Sequence, residues 1–83
     1  MQSQTRRRQN VEVNADHDIE GNVVPQKITL KDGRVFHIEE VKRVAKVAIL
    51  SQFATTTRYT VKIKGRETFL YEDGGKWFVE MHT

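Results

Sequence analysis

The sequence predicts a mainly β protein, a single small domain built from hairpins. Three observations carry that prediction. Short glycine-centred turns stand at Lys31-Asp32-Gly33, Lys64-Gly65 and Asp73-Gly74-Gly75. The runs between them are rich in β-branched and aromatic residues, the pattern of strands joined by tight turns. The chain has 83 residues and no cysteine, so one apolar core must hold it without disulfides or a thiolate zinc site. In a domain of this size any cleft must be shallow.

Residues 1 to 22 lack apolar periodicity and end at Gly21-Asn22. They are expected to form a flexible tail, with at most a short extended piece around Val11 to Val13, leaving residues 23 to 83 as the domain. The charge of this tail is segregated: Arg6, Arg7 and Arg8 come first, then Glu12, Asp16, Asp18 and Glu20. The arginine triplet reads as a solubilising terminus in preference to an arm for phosphate. Order is expected from Val23, and Pro25 suits the start or edge of a strand. A three-residue Lys31-Asp32-Gly33 loop with Gly33 left-handed puts Ile28, Leu30, Phe36 and Ile38 on one face, the core face. His37 then lies on the other side with Thr29 and Val35.

Residues 39 to 54 are ambiguous. Val41, Val44, Ala45, Ala48 and Ile49 fit helical spacing, whereas Val41, Ala45, Val47 and Ile49 fit alternation. Glu39 and Glu40 suit a helix amino terminus, but no capping residue precedes them and the valines favour a strand. A strand and a short helix within 41 to 54 both stand. The last third alternates clearly over Thr57 to Ile63, Glu67 to Tyr71 and Lys76 to Met81. A two-residue turn at Lys64-Gly65 sets Leu70 on the face of Tyr59, Val61 and Ile63. A three-residue Asp73-Gly74-Gly75 loop then sets Phe78 opposite Leu70, completing the core. The reverse face carries Arg58, Thr60 and Lys62 beside Phe69, Tyr71, Trp77 and Val79.

The segments Ile28 to Phe36, Arg58 to Thr68 and Lys76 to Glu80 resemble small uncharacterised proteins of low-GC Gram-positive bacteria. The likeness spans about residues 23 to 80 and implies a small five-stranded barrel of the SH3-like kind, with no function attached to it. It also implies a strand followed by a long loop in the ambiguous middle. This chain departs there, because Lys46 to Thr57 holds neither proline nor glycine.

The chemistry-bearing residues do not form a catalytic pattern. His17, His37 and His82 are far apart, and Asp16-His17-Asp18 is a polar tripeptide in the expected tail. Glu39 and Glu40 are neighbours, which point to opposite faces of a strand and cannot act as an acid and base pair. Ser51, Thr55, Thr56 and Thr57 have no histidine at a fixed spacing. The glycine turns are hairpins, not a phosphate loop before a helix. The sequence is thus read as non-enzymatic, without metal or cofactor. With no long apolar run it is also expected to be cytoplasmic, with no membrane partner.

Charge points to a binding role. The net charge is +3, but from Val41 to Arg66 there are seven bases and no acid. A solvated face balanced by folded-over glutamates explains this blandly; an anionic partner explains it more sharply. The candidate binding residues are Arg58, Lys62, Lys64, Arg66, Tyr71 and Trp77. Two partners fit them: a protein segment, taken on an aromatic patch or an open strand edge, which is slightly favoured, and single-stranded nucleic acid, held by cations and stacked rings.

Overall fold

The computed structural model describes residues 6–49 and 54–82, and the side chains of 8–47 and 56–80. These residues form seven antiparallel strands: β1 (Arg6–His17), β2 (Val23–Thr29), β3 (Val35–His37), β4 (Glu40–Ile49), β5 (Ala54–Ile63), β6 (Arg66–Asp73) and β7 (Lys76–His82). Their order in the sheet is β3-β2-β1-β7-β6-β5-β4. This is a meander made circular by the β1–β7 pairing and left open between β3 and β4, a curled half-barrel.

The mainly β prediction holds, with seven strands among the described residues in place of five. One additional strand comes from the expected tail. The first half of β1, Arg6 to Val11, pairs with β7, and its second half, Glu12 to His17, pairs with β2. Its pairing partners order a segment whose own composition is polar. The ambiguous middle is β4, not a helix, over Glu40–Ile49; residues 50–53 lie outside the described part. No helix long and apolar enough to cross a membrane occurs among the described residues.

Turn chemistry sets each register. The Lys31-Asp32-Gly33 loop has three residues, with Leu30 N–H donating to Arg34 C=O at 2.9 Å, and Ile28 pairs with Phe36 as expected. Lys64 and Gly65 both have positive φ, 52° and 76°, the geometry of a type I′ turn, and Tyr59 pairs with Leu70. The third turn differs from expectation. Asp73 pairs with Lys76, so the loop is Gly74-Gly75 alone, with φ of 59° and 88°. One residue fewer in the loop inverts β7: Phe78 leaves the face of Leu70, and Trp77 and Val79 take its place.

The concave face holds the core. Ile28, Tyr59, Val61 and Leu70 are buried together, and Val11, Val13, Leu30, Ile38, Val41, Ile63, Trp77 and Val79 pack around them. Bulges at Gln26 of β2 and Lys42 of β4, marked by register shifts against β1 and β5, add the twist that curls the sheet.

Leu70 has no exposed surface, so Leu70→Ala is expected to cost about 2–5 kcal/mol. Val35 is 46% exposed, and Val35→Ala is expected to cost less than about 0.5 kcal/mol. Urea midpoints of the two variants check both values.

Candidate functional site

The convex face carries a ladder of cations and rings. Alternation on β5 puts Arg58, Thr60 and Lys62 opposite to the core residues Tyr59 and Val61, and cross-strand pairing sets Tyr71 beside Arg58 and Phe69 beside Thr60. The Arg8 guanidinium lies 3.7 Å from the centre of the Phe78 ring. Phe78 stacks on Tyr71 at 5.1 Å with 7° between the planes. Arg58 then covers Phe69 at 4.6 Å. Tyr71 donates its phenolic O–H to Glu80 at 3.1 Å. Cation–π contacts of this kind contribute about 0.5–2 kcal/mol each, more as they are desolvated.

Of the six residues predicted from sequence, the ladder gathers Arg58, Lys62 and Tyr71. Trp77 is on the concave face, its ring 5.3 Å from that of Tyr59, because of the shorter third turn. Lys64 leans away to β3, its Nζ 5.1 Å from the centre of the Phe36 ring. Arg66 is exposed at the start of β6, opposite Ile63. Arg8 and Phe78 are the members that sequence reasoning missed. Reading Gly74-Gly75 as a two-residue turn would have found Phe78, whereas nothing local marks Arg8.

Two polar atoms on this face, Thr56 Oγ1 and Arg58 Nε, are buried and without a hydrogen-bond partner among the described residues. The ring faces are largely taken: Phe78 is 3% exposed between Arg8 and Tyr71, and Phe69, 45% exposed, has one side under Arg58. Ser51 lies outside the described residues, as do the side chains of Arg6, Arg7, Thr55 and His82. No group of three or more His, Cys, Asp or Glu side chains is placed to hold a metal ion among the described residues.

A second surface is the open seam of the half-barrel, a cleft of about 810 Å³ between β2 and β4. Val41, Val44 and Lys46 of β4 form one wall, and Val23, Val24 and Pro25 of β2 form the other. Thr57, Tyr59 and Glu72 line it between them. The β1–β2 loop closes one end, its turn held by Asp18, whose carboxylate accepts from the backbone N–H of Asn22 at 2.8 Å and of Glu20 at 2.9 Å. Lys46 donates to Thr57 Oγ1 at 2.8 Å. Neither wall edge is fully paired. Among the described residues β4 has β5 as its only neighbour, and β3 pairs with β2 only over Lys27 to Thr29.

No family model, curated protein or solved structure matches the chain. The functional reading therefore stands on these two surfaces.

Burial, then the nearby Glu72 charge, raises the Tyr59 phenol above 10.0; burial, then the charge and hydrogen bond of Glu80, raises Tyr71 against an opposing effect of Arg58. A raised folded value means that the neutral phenol is favoured by folding. That stability is complete below about pH 10, the unfolded value, and is lost as pH rises through the folded values. Urea midpoints above pH 10 are expected to fall less steeply in Tyr59→Phe and in Tyr71→Phe than in the parent.

Proposed function

We propose that the protein is a non-enzymatic binding module that takes an extended segment of a partner protein onto the free edge of β4. One observation carries this: a ten-residue strand with a single neighbour among the described residues borders an open cleft. Such an edge presents a row of backbone donors and acceptors, and adding a strand satisfies them while side-chain pockets supply selectivity. Two exposed apolar residues flank the place. Val44 is 55% exposed on the cleft wall, and Ile19 is fully exposed on the loop that closes the cleft's end.

Single-stranded nucleic acid on the convex ladder is the second reading, supported by Arg8, Arg58 and the exposed ring of Phe69. It ranks lower because base stacking needs free ring faces, and Phe78 and Tyr71 already stack on each other.

Selection of random peptides by display, followed by amide NMR titration of the selected sequences, separates the two. Strand addition predicts shifts concentrated in residues 40–49 and 23–26. Shifts confined to Arg58, Phe69 and Tyr71 on adding mixed single-stranded DNA or RNA, weakening steeply with salt, would move the assignment to nucleic acid.

A further inference from the structure

The edge of β4 also has a polarity, and if strand addition is the mode of binding, that polarity defines the chemistry of the occupant. Val41 and Val44 face the cleft, opposite Val23 and Val24 of β2. The bulge puts Lys42 beside Arg43 on the convex side, where Lys42 meets Glu67 at 3.2 Å. Arg43 is exposed and makes no ion pair among the described residues. A strand laid along this edge therefore meets Val41 and Val44, then Lys46 held to Thr57, on its inner side, and Lys42 and Arg43 on its outer side.

Four carboxylates line the cleft. Asp18 is engaged by the backbone N–H groups of its own loop, Glu39 accepts from Gly65 N–H at 3.3 Å, Glu72 accepts from Gly75 N–H at 2.7 Å, and Glu40 stands across from Lys62 at the start of β4, before the Lys42-Arg43 pair. A second copy of the chain is a poor occupant. Pairing β4 with itself would place Lys42, Arg43 and Lys46 of each strand on one ribbon against a single glutamate, Glu40, from each, and like charges across a strand pair destabilise it.

We infer that the seam binds an acidic extended peptide, apolar at every second position, with the apolar side chains over Val41, Val44 and Val23 and the carboxylates beside Lys42 and Arg43. This rests on the strand-addition reading and adds the sign of charge and the alternation.

The test uses the full chain, isotope-labelled, and three synthetic octapeptides in which valine alternates with glutamate, serine or lysine. The glutamate peptide is expected to shift the amides of residues 40–49 and to bind about tenfold more tightly than the serine peptide at low salt, the gap closing as salt rises. The lysine peptide is expected to bind weakest, and Arg43→Glu, an exposed change, to reverse the order of the charged pair. Methylating every second backbone nitrogen of the glutamate peptide is expected to abolish binding in one phase and spare it in the other, because an edge uses alternate groups only. Equal affinity of the serine and glutamate peptides, with shifts on β4, would overturn the acidic preference and leave strand addition intact. No shift on β4 with any peptide, or shifts on the convex ladder alone, would overturn both.

Discussion

Two residues hold the shape of this molecule. Ile38 and Glu39 link β3, at one edge of the sheet, to β4, at the other. Ile38 N–H still donates to Gln26 C=O of β2 at 2.9 Å, and Glu39 N–H already donates to Lys62 C=O of β5 at 2.8 Å. A link this short spans roughly 10 Å between His37 and Glu40 even when extended. The edges of a seven-stranded sheet can meet across it only if the sheet curls. The curl gathers the apolar side chains onto the concave side and, because β3 is three residues long and β4 is ten, leaves the seam open beyond the link. Core and cleft are thus two outcomes of one chain constraint.

The β5–β6 turn reinforces that corner. Gly65 N–H reaches Glu39, and Lys64 reaches the ring of Phe36, so the turn is tied to both sides of the link. Two basic residues that look like part of a binding face, Lys64 and its neighbour Arg66, therefore stand at the closed end of the seam, away from the convex ladder. The two edges bordering the open end are managed differently. β2 carries Pro25, which has no N–H to offer, whereas β4 keeps its backbone donors and is guarded only by charge.

Local signals made the β class and the first two turn registers legible, because positive φ at Gly33 and Gly65 is something the sequence can announce. The third turn was misread by one residue, and in a strand one residue exchanges the faces, so Trp77 and Phe78 traded places and the candidate site lost a ring and gained another. β4 looked partly helical for a physical reason. The bulge at Lys42 puts Val41 and Val44, three positions apart, on the same side, and three is a helical interval. β1 was illegible because, among its described side chains, only the apolar Val11 and Val13 join the core cluster, and the order of its first half comes from β7, distant in the chain. Arg8 on Phe78 and the seam itself depend on the same distant pairing.

β1 also bears on how the fold is completed during synthesis. Every other pairing joins strands adjacent in the chain, but the first half of β1 pairs with the last strand, Arg6 with His82 and Val11 with Trp77. Its second half can zip onto β2 as soon as that hairpin emerges; its first half must wait for β7. Contacts this far apart in sequence form late and slowly. The nascent chain therefore passes through a stage in which the meander is made and the ring is not yet joined, with the sides of Val11 and Trp77 that will meet still uncovered.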